Sequence, residues 1–433
     1  MRTSKRLLAA LGFALWLGDG AVMAQEQPHV FRGGRIIPVA GQPIENGVLV
    51  VQNGKITAVG TADKVRIPNN AKEFDMTGKV LMPGLVDTHS HLGEGSGGDG
   101  SAPLHPDVRI IDGINPISDT FKRALAGGIT TVNVMPGSGH LMSGQTVYLK
   151  MRDGKTISDL TFCDDVTNGI CGGMKMANGT NPMKSAPFPG TRAKSAAMVR
   201  QLFLDAQAYN KKVKAAKGKA DKMPERKPNL EPLVEILDGK RIVHFHTHRY
   251  DDILTALRLQ KEFGFKLVLH HVSEAWKAAD EIAKAGVPAS IITLDSPGGK
   301  SEAVELSNSN GAALEKAGVL TAFHTDDGIT DSRLFMRNVS LAVRAGMSPE
   351  KAIEAMTIAG AKMLELDNRV GSLEKGKDAD FIVLNGEPFS VYTKIEQTWV
   401  EGQKRFDLSN PEDKKYATGG YKAYDGMLHY HAH

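Results

Sequence analysis

Seven short apolar runs constrain this 433-residue chain more than any other feature: Leu85–Thr88, Thr130–Met135, Gly173–Met176, Arg241–Phe245, Lys266–Leu269, Ala289–Ile292 and Leu320–His324. Each has the length of a buried strand, and helical patterns fill much of the chain between them. Helices are predicted at Asp252–Phe263, Glu274–Ala285, Glu302–Ala317, Arg333–Ala345 and Pro349–Leu366. The last begins with Ser348 as N-cap and Pro349 at the first helical position. Strands alternating with helices predict a parallel sheet, and the span from Met82 to Leu366 suits a (β/α)8 barrel.

Both ends of the chain read differently. Val30-Phe31, Arg35–Val39, Gly47–Val51 and Lys55–Val59 are short strands separated by turn residues, with Asn53-Gly54 a strong hairpin signal. Ala379–Leu384 and Thr398–Gly402 return to the same pattern. The predicted class is therefore α/β: a TIM barrel over 83–366, with a small β-sandwich built from 25–82 and 367–410 and a tail at 411–433.

Residues 1–24 read as a secretory signal peptide: basic Arg2, Lys5 and Arg6, apolar Leu7–Leu17, and the small-residue end Val22-Met23-Ala24. A periplasmic or secreted protein is expected, and the apolar stretch is too short to span a bilayer. In an oxidising compartment Cys163 and Cys171 are either a disulfide or two free thiols. A formal charge of +4 favours neither nucleic acid nor a membrane surface as partner. Lys211–Lys227 reads as a solvated insertion, Gly93–Gly100 as a mobile segment, and His429–His433 as a disordered end able to hold metal adventitiously.

The chemistry lies where the apolar runs stop. His89 and His91 stand at i and i+2 on the first run, so an extended backbone turns both imidazoles to one face. Such a pair alone is often incidental. Here, however, His244 and His246, His270 and His271, and His324 with Asp326 and Asp327 end further runs. Functional groups gather at the C-terminal strand ends of a parallel barrel, and imidazole with carboxylate is a zinc ligand set.

Pro83-Gly84-Leu85-Val86-Asp87-Thr88-His89-Ser90-His91 resembles the first-strand signature of the amidohydrolase superfamily. Val370–Asp380 resembles the stretch that leads its barrel back to the small β domain, and the nearest branch is the imidazolonepropionase-like and metal-dependent dipeptidase group. The resemblance implies that His89 and His91 hold one divalent metal, that His246 and His271 hold a second, and that Asp326 binds at the last strand. It also implies that Lys175, in Gly173–Ala177, is carboxylated and bridges two ions, zinc being the expected metal. A carbamate supplies one negative charge and two oxygens where an ammonium would be repelled. The other reading leaves Lys175 a solvated lysine beside one metal, and His246 against His248 and Asp326 against Asp327 stay open.

The implied reaction is hydrolysis of an amide in a peptide, an N-acyl amino acid or a cyclic amide by metal-bound hydroxide. Asp326 would carry the proton and His248 would stabilise the oxyanion. The substrate is then a small molecule or short peptide, and a homo-oligomer is compatible with the sequence. Two alternatives remain: a mononuclear deaminase or cyclic amidohydrolase, and a non-catalytic binding protein on the same fold. Arg192 and Arg249 are candidates for pairing with a substrate carboxylate, although surface roles suit both.

Overall fold

Runs of β-branched and aromatic residues form strands close to where the sequence places them, in a computed structural model that describes residues 27–95, 98–293 and 301–419. The expected signal peptide and the terminal histidines lie outside the described residues. In chain order the strands begin with β1 His29–Ile36, β2 Ile44–Gln52, β3 Lys55–Thr61, β4 Lys72–Asp75 and β5 Val80–Pro83. The middle of the chain gives β6 Leu85–Ser90, β7 Ile129–Val134, β8 Met142–Gln145, β9 Val147–Lys150 and β10 Met174–Ala177. It continues with β11 Val243–Thr247, β12 Leu267–His271, β13 Ala289–Ile291 and β14 Thr321–Phe323. The far end adds β15 Phe381–Leu384, β16 Ile395–Val400 and β17 Gln403–Asp407.

The fold is a mixed α/β one. Among the described residues the central strands form two sheets, β6-β7-β9 and β8-β10-β11-β12-β13-β14, in which β6 and β7 and the series β10 to β14 are parallel. The expected all-parallel barrel needs correction at β8 and β9, which run antiparallel to β10 and β7. Only residues 135–141 join β7 to β8, and a parallel crossover needs about a dozen residues or more. The chain therefore turns straight back. Backbone hydrogen bonds from Asp326 N to His89 O (2.9 Å) and from His91 N to Asp327 O (3.2 Å) tie the exit of β14 to that of β6.

Both ends of the chain share one hydrogen-bonded eight-stranded sheet, order β17-β16-β15-β5-β1-β2-β3, with β4 also paired to β1. The hydrogen bonds join the strands of the expected β-sandwich into a single ladder. The cause is β1, whose first half pairs with β4 and whose second half pairs with β5, across an irregularity at Gly34. The ladder stays continuous around an aromatic core in which Phe31 stacks on Phe74 at 4.8 Å and Phe381 on Trp399 at 5.5 Å. Gly84 joins this sheet to β6. A Cβ there would stand 2.2 Å from Thr130 Oγ1, so only glycine fits.

Two helical expectations change, and one helix is new. Pro349–Leu366 splits into Pro349–Ala355 and Ile358–Met363, because Thr357 (φ −134, ψ −97) turns its hydroxyl back onto Ile353 O at 2.6 Å. Glu302–Ala317 shrinks to Asn310–Lys316, with Ser301–Ala303 a separate 3-10 turn. There the Glu302 carboxylate turns inward to accept from Thr180 N, and Ser309 N donates to Ser307 Oγ in place of a helical carbonyl. A long helix, Arg192–Ala215, was not anticipated. It is N-capped by Thr191 and buries Val199, Phe203 and Ala206 along one side, while the lysines beyond it are exposed as expected.

Two smaller findings bear on the sequence reading. A Cβ on Gly93 would approach Ile114 and Phe121 within 2.9 Å, so packing requires this glycine and chain mobility need not be invoked. Cys163 and Cys171 form a disulfide. No helix among the described residues is long and apolar enough to cross a membrane.

Candidate metal centre

His89 lies near the end of β6 and His91 just beyond it. The Nδ1 of His91 is 2.7 Å from the carbonyl oxygen of Met135. A carbonyl only accepts, so Nδ1 carries the proton and the neutral ring presents a lone pair at Nε2. That nitrogen is 2.9 Å from Asp326 Oδ1, and His89 Nε2 is 3.3 Å from the same oxygen. Two ligands at zinc bond lengths of about 2.0–2.1 Å and a tetrahedral angle stand about 3.3 Å apart. Each nitrogen therefore stands near the ligand–ligand spacing from Asp326 Oδ1.

His271 and Asp326 reach this point by leaving their strands. Their φ values of 69° and 50° are left-handed, and the neighbouring β-branched Val272 has φ 39°. Such conformations cost ~1–3 kcal/mol each and concentrate at functional sites. Among the described residues His271 Nε2 is buried without a hydrogen-bond partner, and it stands 4.0 Å from Asp326 Oδ2. His89, His271 and Asp326 form one group whose ligand atoms lie within 4.8 Å of one another; His246, His248 and His271 form a second, and His271 belongs to both.

His89, His91, Lys175, His246, His248, His271 and Asp326, all named from the sequence, meet here. Lys175 is fully buried, its Nζ 2.9 Å from His89 Nε2 and 3.1 Å from Met135 Sδ. His246 and His248 do not exclude each other: their ring centroids are 4.6 Å apart and both face His271. The Nδ1 of His248 is held by Ser273 Oγ at 2.7 Å, and His246 Nε2 lies 3.2 Å from Asn181 Nδ2. Asp326 faces the histidines. Asp327 instead accepts from Arg123 at 2.5 Å and from Ser332 N at 2.9 Å. Strand alternation does not separate the two carboxylates, since β14 stops at Phe323; the left-handed turn at Asp326 does.

A second polar layer, not recognised from the sequence, lies against these ligands. Tyr148 Oη, His244 and His270 form one chain of contacts at 2.9 and 3.0 Å. Thr88, Ser290, His324 and His271 form another at 2.6, 2.8 and 3.2 Å. The signal was present in strand parity: His244 shares a face with His246 at i and i+2, and β-ladder pairing sets His246 beside His270 and Ser290.

Burial is the main cause that holds the imidazoles of His89, His270 and His271 well below the ordinary histidine range, with neighbouring cationic groups adding to it. Burial likewise lowers His244 and His324 to about 3. Each ring is therefore neutral at neutral pH, which is the form that binds metal. Neutral rings, a carboxylate and a buried lysine suit one or two divalent cations.

Comparison with known proteins agrees with this geometry. A family model described as the amidohydrolase family matches residues 220–406. The crystal structure of an amidohydrolase from Thermotoga maritima MSB8 is 33% identical, covers 88% of this chain and all 100% of that one, and superposes with a TM-score of 0.82. The chain belongs to the amidohydrolase family. Amidohydrolase tasK of Hapsidospora irregularis is 25% identical over 437 residues, which span 93% of this chain but only 42% of that longer protein. A 5-methylthioadenosine/S-adenosylhomocysteine deaminase of Symbiobacterium thermophilum is 24% identical over 400 residues, 83% of this chain and 85% of that protein.

Proposed function

We propose that this chain is a metal-dependent hydrolase that cleaves an amide carbon–nitrogen bond in a small molecule or short peptide, with two divalent cations at the centre. The observation that carries the reading is the convergence of His89 Nε2, His91 Nε2 and Asp326 Oδ1, beside a second imidazole group that shares His271. His89, His91 and Asp326 would hold one cation and His246 and His271 the other. Lys175, as a carbamate formed from its neutral amine and carbon dioxide with loss of one proton, would lie between them. Zinc, when bound, lowers the pKa of water to about 7 and so supplies hydroxide at neutral pH.

The chain's own groups do the rest. Asp326 takes the proton of the attacking water on its carboxylate and returns it to the leaving amine. His248, oriented by Ser273, donates a hydrogen bond to the oxygen that becomes negative as the carbonyl is attacked. We place the protein in the periplasm or outside the cell, a reading that the Cys163–Cys171 disulfide supports. We also take the two chain ends, divided near residues 82 and 366, to form a small domain on the hydrolase domain.

A second reading, a mononuclear deaminase, is favoured by one observation: His89, His271 and Asp326 make a three-ligand group without Lys175. A screen of dipeptides, N-acyl amino acids and lactams on zinc-loaded protein tests the first reading by amine release. Turnover of one of these classes supports it. Ammonia release from aminopurines, with none of these amides cleaved, rejects it in favour of the second.

A further inference from the structure

Two loops meet over His246. Asn181, on the loop after β10, donates from Nδ2 to Ser138 Oγ at 2.6 Å, on the loop after β7, and the same nitrogen is 3.2 Å from His246 Nε2. Lys184 follows within one turn of Asn181, in a segment closed by Met183 N donating to Thr180 O at 3.0 Å. Its ammonium stands 5.0 Å above the ring of Phe188. His140 packs on the same ring with centroids 5.4 Å apart. Gly139 links Ser138 to His140, and a Cβ there would come within 3.3 Å of Lys184 Nζ. The ammonium therefore lies over the strip of backbone that joins the centre to His140.

Among the described residues, neither group has an ion-pair or side-chain hydrogen-bond partner. Lys184 is exposed and, among the described residues, has no carboxylate within ion-pairing distance. His140 is only 4% exposed, and among the described residues neither ring nitrogen has a partner at full hydrogen-bond geometry, although the Asp99 backbone stands close enough to act on the ring. Burial, then Lys184 and His105, lower it to about 4 against the opposing pull of Asp99, so at neutral pH it is uncharged and carries one N–H. His105 is engaged elsewhere, at 2.9 Å from Asp99 O. The arginines that the sequence offered for this task are also occupied: Arg192 by Asp252 at 2.9 Å, and Arg249 by Asp251 at 3.0 Å.

We propose that Lys184 and His140 form a carboxylate-binding subsite at the mouth of the centre, so that the amide substrate carries a free carboxylate. One cation and one neutral N–H match the single charge and two oxygens of a carboxylate; a phosphate dianion would call for more donors. The inference rests on the amide-hydrolase reading and narrows its substrate to N-acyl amino acids or peptides with a free C-terminus. Lys184 acts here as a specificity-determining residue, not as part of the bond-breaking machinery.

The test uses zinc-loaded protein and two matched substrates, an N-acyl amino acid and its C-terminal carboxamide. Wild type should favour the acid, and Lys184→Met should raise KM for the acid ~10-fold or more, with kcat, metal content and carboxamide kinetics unchanged. Lys184→Arg should restore most of the preference, and His140→Gln should fall between. Equal use of acid and carboxamide by wild type, or a KM for the acid indifferent to Lys184→Met, overturns the subsite. Calorimetric binding of N-acetylalanine separates the two failures: Lys184-dependent binding without turnover supports the subsite and rejects only the hydrolase reading.

Discussion

Replacing Asp326 and Asp327 in turn by asparagine should give opposite phenotypes, although the two residues are adjacent. Asp326 Oδ1 is 2.9 and 3.3 Å from the imidazoles of His91 and His89, and this carboxylate is the one placed to move a proton. An asparagine there cannot accept that proton and is a poorer ligand. Loss of a general base lowers kcat ~10²–10⁴-fold, equivalent to ~3–5 kcal/mol of barrier. Stability in the metal-free state should hold or rise, because a carboxylate among acceptors has been removed. Asp327 is different: its partner Arg123 is 3% exposed and would lose its 2.5 Å carboxylate contact, leaving the more distant Asp331 at 3.9 Å to face its charge. Breaking a buried pair from one side costs ~3–5 kcal/mol. The hydrogen bonds that an asparagine amide can still make reduce this to about 2–3 kcal/mol. The assay is a urea melt of each metal-free variant beside kcat of each zinc-loaded variant. An active Asp326→Asn, or an Asp327→Asn that melts with the wild type, would refute the assignment of chemistry to one and structure to the other.

Two further outcomes concern stability. Replacing Cys163 and Cys171 by serine opens a loop of sequence separation 8, which the loop-entropy relation values at about 2.5 kcal/mol, and the loss should appear as a lower urea midpoint matched by wild type under reductant. Burial pushes Asp378 up, but Lys150, Lys55 and Arg369 together outweigh it and hold the carboxyl at about 2. A folded value below the unfolded 3.8 stabilises the protein above that pH, by about 2 kcal/mol, and this contribution fades as pH falls from about 4 to about 2. Asp378→Asn should abolish that part of the acid dependence in melts between these limits; an unchanged slope would contradict it.

Much of this centre was legible in the sequence because strand alternation and apolar runs are local properties. His89 and His91 follow from where the first run ends, while the choice of His246 and Asp326 over their neighbours comes from the family resemblance. What was missed depends on contacts distant in sequence. His270 and His271 cannot both face one way on a regular strand, and both enter the polar interior only because His271 leaves β12 at φ 69°. Glu302 stands at the start of a predicted helix, and only the fold brings Thr180 and Arg192 around it. The direction of β8 and β9 follows from the shortness of residues 135–141, which a pattern of apolar runs does not display. His140 has no periodic signal at all, since its surroundings come from separate loops.

The metal content of wild type and Lys175→Ala, measured on protein purified without chelator, tests the two-cation centre most directly. Lys175 is fully buried, 2.9 Å from His89 Nε2, so its replacement removes a group at the heart of the ligand cluster. Close to two divalent ions per wild-type chain are expected, falling to one or none in the variant with loss of amide hydrolysis. A single ion in the wild type, with Lys175→Ala equally loaded and fully active, would contradict the account.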